Sequence, residues 1–97
     1  MYARTLVIQI QPNKLDEAVQ LFQESVVPFA QQEQGFVSIM LLTDPSTGIG
    51  MSVSLWESEA ALKANEASGY FQAQLAKFAS LFTAPPVRAV YEVSVHA

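Results

Sequence analysis

Residues Gly35–Leu62, GFVSIMLLTDPSTGIGMSVSLWESEAAL, place two apolar segments on either side of a five-residue Asp-Pro-Ser-Thr-Gly turn. The second segment runs through Trp56 straight into a helix start at Ser58. Such a turn closes an antiparallel hairpin, because Asp and Ser bond nearby backbone and Gly accepts the left-handed conformation. The strands, expected at about Phe36–Thr43 and Ile49–Trp56, are apolar on both faces. Strict alternation puts Phe36, Met40 and Leu42 on one side and Val37, Ile39 and Leu41 on the other. Strands of this kind are usually covered on both sides. One layer of helices covers one face, so a second layer is required, and another subunit is the economical source of it.

The flanking segments extend the pattern. A first strand over Tyr2–Ile10 sets Tyr2, Arg4, Leu6, Ile8 and Ile10 against Ala3, Thr5, Val7 and Gln9. Pro12-Asn13 ends it, and Asn13 is placed to cap the next helix, with Asp16 three positions on. That helix carries Leu15, Ala18, Val19, Phe22, Val26, Phe29 and Ala30 at the spacing of a buried face. Pro28 removes the bond to the Glu24 carbonyl, which predicts a kink or a loosened last turn before Gly35. Ser58 caps a short helix over about Glu59–Glu66, and Ser68-Gly69 interrupts it. A second helical piece is expected over about Tyr70–Phe82, with Phe71, Leu75, Phe78, Ala79 and Phe82 inward. After Pro85-Pro86, a last strand Val87–Val95 alternates Val87, Ala89, Tyr91, Val93 and Val95 with Arg88, Val90, Glu92 and Ser94.

The order is β-α-β-β-α-β. It predicts an α+β, ferredoxin-like domain over residues 1–97: a four-stranded antiparallel sheet with its helices on one face. Two such sheets packed face to face make a dimeric α+β barrel.

Composition narrows the function. Only 14% of the residues are charged, well below the usual quarter, which fits a surface partly covered by self-association. The net charge is −4, and Arg4, Lys14, Lys63, Lys77 and Arg88 are scattered, which argues against nucleic-acid binding. There is no cysteine for a disulfide or a thiolate metal site. No apolar run approaches the ~20 residues of a membrane span. The N-terminus reads as a strand rather than a leader, so a cytoplasmic location is expected.

Three features carry a resemblance: Pro28…Gly35-Phe36 leading into the second strand, the Asp44–Gly48 turn, and Leu55-Trp56-Glu57-Ser58-Glu59-Ala60-Ala61-Leu62. With the element order, they make the chain resemble the antibiotic biosynthesis monooxygenase type of the dimeric α+β barrel superfamily over nearly its whole length. The resemblance implies a homodimer through facing sheets and a ligand cavity between sheet and helices. Such families include cofactor-independent quinol oxygenases, haem-degrading enzymes and isomerases of small molecules. The haem-degrading branch's asparagine, tryptophan and histidine fall near Leu6, Asn65 and Leu75, and none matches. The single histidine, His96, lies next to the C-terminus. No cofactor and no metal are therefore expected.

Each candidate site residue has a plainer reading beside it. Trp56 either lines the cavity and stacks on an aromatic ligand or closes one end of the sheet. Arg4 either orients a phenolate or carboxylate or reaches solvent at the rim. Tyr91 and Tyr70 either hydrogen-bond a substrate oxygen or serve as core aromatics. Asn65 either binds a carbonyl or helps break the helix. Ser52 and Ser54 read as small polar residues facing the partner sheet. Glu57 with Glu59, and Asp16 with Glu17, read as helix-start charges rather than catalytic pairs.

The function these residues suggest is a cofactor-independent monooxygenase acting on a small phenolic or quinol compound, with Arg4 and Tyr91 as the polar groups. Trp56, Asn65 and Tyr70 would contact the ligand. The alternatives are a non-catalytic dimeric module that binds a small ligand or supports an assembly, and an isomerase of a small carbonyl compound.

Overall fold

The computed structural model describes residues 1–97. Its strands are β1 (Tyr2–Gln9), β2 (Phe36–Asp44), β3 (Ile49–Trp56) and β4 (Val87–Glu92), paired antiparallel in the order β2-β3-β1-β4. Its helices are α1 (Leu15–Leu21), α2 (Val27–Gln31), α3 (Glu59–Ala67) and α4 (Tyr70–Ala76), all on one face of the sheet. This is the expected α+β, ferredoxin-like arrangement. Each helical connection returns two strands away, leaving room for a third strand between, as the split βαβ plan requires. No helix is long and apolar enough to cross a membrane.

The hairpin forms where expected. Asp44 Oδ1 accepts from the Ser46 amide at 3.0 Å and the Ser46 hydroxyl at 2.7 Å, and Gly48 N–H donates to the Asp44 carbonyl at 2.9 Å. Gly48 has φ +80°, and an added Cβ would fall 2.0 Å from the Ile10 carbonyl oxygen. Only glycine fits there. Gly35 (φ +79°) is equally constrained: a Cβ would meet the Ala61 methyl at 2.4 Å, so its absence lets α3 sit close to the start of β2.

Five details differ from the sequence-based expectation, each for a local reason. First, Asn13 does not cap a helix. Pro12–Lys14 forms a single 3₁₀ turn, and α1 starts after it with no side-chain cap. Second, the effect of Pro28 appears upstream. Residues Phe22–Val26 form a π-helical turn between α1 and α2, and Val27 N–H reaches back to the Phe22 carbonyl. The wider turn spares the Glu24 carbonyl from the proline ring that could not bond it.

Third, the second helical piece ends at Ala76 rather than Phe82. Lys77, Phe78 and Ala79 each donate to the residue three before, so the spacing shortens from 3.6 to about 3. That shift buries Phe78 and Leu81 and leaves Ala79 exposed. Fourth, β1 and β4 stop early: Ile10 makes only an isolated bridge to Phe82, and β4 ends at Glu92.

Fifth, β2 carries an irregularity between Phe36 and Ser38. The extra residue at Val37 shifts the alternation by one. Phe36 therefore points with Ile39 and Leu41 toward the helices, while Met40 and Leu42 point away. On β3 the same bookkeeping reverses the reading of the serines. Ser52 and Ser54 pair with Leu6 and Arg4 on the helix side, and Met51, Val53 and Leu55 take the open side.

The core lies under the helices toward the far end of β1, where Ile8, Ile10, Leu15, Ala18, Phe22, Phe78 and Leu81 pack together. Burying one such Leu, Ile or Phe is worth roughly 1.5–3 kcal/mol. No element of the chain covers the open face, where Met40 and Leu42 are about half exposed (49% and 51%).

Candidate functional site

Toward the start of β1, the space between sheet and helices stops being filled by the core. A cavity of about 60 Å³ opens there, walled by Leu6, Phe22, Ile39, Leu41, Phe71 and Phe78, with Arg4 its only charged wall. A second chamber of about 40 Å³ shares Arg4, Ile39 and Phe71 with it and adds Glu33, Trp56, Asn65 and Tyr70. Each is several times the ~10–15 Å³ that one water needs. Both are lined mainly by apolar residues; the outer one adds Glu33 and Asn65, and Arg4 borders both.

Arg4 is 8% exposed. It is carried into the interior because its position on β1 alternates with Ala3 and Thr5, and its strand partner on β3 is Ser54. Its guanidinium carbon lies 4.1 Å from the Phe71 ring centre and 5.6 Å from the Trp56 ring centre. A cation over two aromatic faces is attracted by their quadrupoles. Nη1 donates to Asn65 Oδ1 at 2.9 Å and to Glu66 Oε2 at 3.4 Å. Nε and Nη2 make no hydrogen bond within the chain, and no fully buried polar side-chain atom lacks a partner. These two donors are left over on a side chain that lines both chambers. Burial pulls the Arg4 pKa below its ordinary value, opposed by the charge and hydrogen bond of Glu66. It stays protonated at any working pH.

Two carboxylates stand near Arg4, and each is engaged elsewhere. Glu66 receives Arg88 on both oxygens, from Nε at 2.5 Å and Nη2 at 2.6 Å. Burial alone would raise the Glu66 pKa, but Arg88, and then Arg4, hold it below the ordinary carboxylate value. Glu33 accepts from Asn65 Nδ2 at 2.7 Å. The Asn65 carboxamide thus spans the gap between Arg4 and Glu33, oxygen to the cation and nitrogen to the anion.

The structure brings together four of the five residues singled out from sequence. Arg4, Trp56, Asn65 and Tyr70 all line the outer chamber. Trp56 is 1% exposed, donates its indole N–H to Ser54 Oγ at 3.0 Å and meets Phe36 edge to face at 5.8 Å. It closes the end of the sheet and also forms a chamber wall. Asn65 is buried within α3 and does not break the helix. Tyr70 stands half exposed at the mouth, its ring 5.6 Å from that of Phe29.

Tyr91 is the exception. It pairs with Ala3, so it shares the open face of the sheet with Met40 and Leu42, and it is 59% exposed. Arg4 and Tyr91 lie on opposite faces and do not form one site within the chain. The reason is parity: the apolar set of β4 points outward, and Arg88 and Val90, opposite Leu6 and Arg4, point toward the helices.

Sequence reasoning did not single out Glu33, Glu66, Arg88 or Phe71. Glu33 lies in the turns after α2, and Glu66 in α3, so neither shows a local signal. Only the placement of Arg88 on the same strand parity as the helix side could have flagged that residue.

Comparison with known proteins agrees with this architecture. The family model for antibiotic biosynthesis monooxygenase matches residues 1–77. A monooxygenase of Streptomyces coelicolor, solved in complex with the ligand nanaomycin D, superposes with TM-score 0.83 at 19% identity, covering 99% of this chain and 89% of that one. Rv0793 of Mycobacterium tuberculosis superposes with TM-score 0.78 at 20% identity, over 99% of this chain and 97% of that one. At such identities the likeness shows the fold alone. Among curated proteins, the uncharacterized protein Rv2558 of Mycobacterium tuberculosis is 32% identical over 65 residues, 67% of this chain. The match spans only 28% of that relative's length. With the family model covering most of its length, this chain belongs to the antibiotic biosynthesis monooxygenase family.

Proposed function

We propose that the chain is a cofactor-independent monooxygenase that takes a small phenolic or quinol compound into the two chambers. The observation that carries this reading is an apolar cavity with a single guanidinium at its polar end, two of whose donor groups are unused. The apolar walls suit an aromatic body, for which the chambers of about 60 and 40 Å³ have to widen, and a phenolic oxygen then meets Arg4.

The chemistry asks little of the protein. An ionised phenol is electron-rich enough to reduce dioxygen, so a C–O bond forms on the ring. The O–O bond then breaks with loss of water to leave the quinone, which balances as phenol plus dioxygen giving quinone plus water. The protons come from the phenol and from the oxidised ring carbon. Arg4 stabilises the phenolate, because a fixed cation in a water-poor site costs no reorganisation. Glu33, at the mouth and oriented by Asn65, is the nearest carboxylate free of an arginine and serves as proton acceptor. Trp56 and Tyr70 serve as ligand contacts. Tyr91 belongs to the open face, through which we expect two copies to pair as a homodimer.

The test is oxygen uptake by purified protein over a panel of dihydroquinones and polyphenols, without added metal or flavin. Uptake above the autoxidation blank, lost in Arg4→Gln and reduced in Glu33→Gln, is the expected result. No uptake across the panel would sink the oxygenase reading.

A further inference from the structure

We propose that Arg88, outside the cavity, sets the charge of the ligand: it shares Glu66 with Arg4, so that the cavity takes a monoanionic aromatic ligand rather than its neutral form. The proposal deepens, and rests on, the reading of the two chambers as the ligand site. Its basis is a local count of charge. Around Arg4 stand Glu66 on α3, Arg88 on β4, Glu33 after α2, and neutral Asn65 and Tyr70. A buried cation beside a carboxylate would ordinarily be neutralised by it, leaving nothing for a ligand.

Here Glu66 is committed on both oxygens to Arg88, in the two-pronged geometry that makes such pairs strong. Its remaining contact with Arg4 is the long one, 3.4 Å. The second carboxylate, Glu33, is kept from Arg4 by the intervening Asn65 carboxamide. Arg88 and Arg4 share the one charge of Glu66, Glu33 is turned to Asn65, and part of the charge of Arg4 is left to the apolar chamber. An apolar chamber by itself would favour a neutral phenol, because burial penalises the charged form. With a guanidinium only partly compensated at its end, the preference reverses. Arg88 is thus a positioning residue acting through Glu66, not a group that touches the ligand. It is exposed enough (45% of its side chain) to be replaced without disturbing the core.

The test uses 4-nitrophenol, whose neutral and ionised forms absorb at different wavelengths, so that its pKa can be read when bound. The intact chain should lower the bound pKa below that of the free phenol. Arg88→Gln frees Glu66 to pair with Arg4, and should weaken phenolate binding about tenfold, one unit of bound pKa. In a Glu66→Gln background the same Arg88→Gln change should have no further effect, because there is no carboxylate left to release.

A bound pKa at or above the free value, or no binding at millimolar probe, overturns the proposal. So does an Arg88→Gln effect that persists without Glu66, since that would be a direct field on the ligand. A protein that shifts the probe in this way yet consumes no oxygen supports this proposal while refuting the monooxygenase reading.

Discussion

The two faces of the sheet are made from the same four strands, alternate residues of each going to either side, yet they are opposite in kind. The face under the helices holds the buried polar groups: Arg4, Ser54 and the indole N–H of Trp56, each with a partner. The face without helices is the more apolar one, with Met40, Leu42, Met51, Val87 and Tyr91 all exposed. Both faces carry apolar residues, whereas an ordinary one-sided sheet is polar where wet. Contiguous exposed apolar surface marks a contact site, and a buried cation marks a site with work to do, because its desolvation has to be offset. That contrast is the ground on which we propose association through one face and ligand chemistry at the other.

The largest effect is expected from charging the open face. Met40→Lys combined with Leu42→Glu should convert the dimer we expect into monomer, at a cost of about 3–5 kcal/mol from unpaired charges at a buried contact. Light scattering at micromolar concentration checks it. If the unmodified chain is already monomeric there, the association half of the comparison is broken. A facing-sheet contact should bury on the order of 1,200–2,000 Å² in total.

Arg4→Ala comes next, and it acts on the covered face. It strips the Asn65 oxygen of its donor and leaves Glu66 with Arg88 alone, so a loss of about 1–3 kcal/mol is expected in urea unfolding, with oxygen uptake abolished. Uptake that survived would remove Arg4 from the chemistry.

Acid gives a smaller and more specific effect. The Glu66 carboxyl is held below its ordinary value in the folded chain by Arg88 and Arg4, against its own burial. Its contribution to stability is therefore complete above the ordinary carboxylate value of about 4.3 and is lost as the pH falls through the lower folded value. The melting temperature should drop in that range for the unmodified chain and less for Glu66→Gln. Equal slopes for the two would show that the Arg88–Glu66–Arg4 ladder adds no stability.

The smallest effect should come from Tyr91→Phe. With its hydroxyl on the far side of the sheet from Arg4, uptake should remain within about twofold. A large loss would mean that a second copy brings Tyr91 into the site, and the division of labour between the faces would need redrawing.

The parts of this molecule legible in its sequence are those governed by neighbours along the chain. The Asp44–Gly48 turn, the Ser58 cap on α3 and the hairpin strands follow from residues within a few positions of one another, and Ser58 Oγ does accept from the Ala61 amide at 3.1 Å. The element order and the family likeness follow from the same local signals strung together. Arg4 could be nominated because it interrupts an apolar strand face, Trp56 and Tyr70 from their aromatic chemistry at a sheet end and a helix mouth, and Asn65 from the family resemblance.

What tertiary structure alone decided is which way things point and what they meet. One extra residue at Val37 inverted the parity of Phe36, which no count along the strand could show. The outward direction of Tyr91 depends on its pairing with Ala3, 88 positions away in the chain. The Arg88–Glu66–Arg4–Asn65–Glu33 chain draws on β4, α3, β1 and the segment after α2, so it exists only once the sheet has closed. Propensity and turn chemistry act over a few residues. Register, burial and charge compensation act through space, between residues that the sequence leaves far apart.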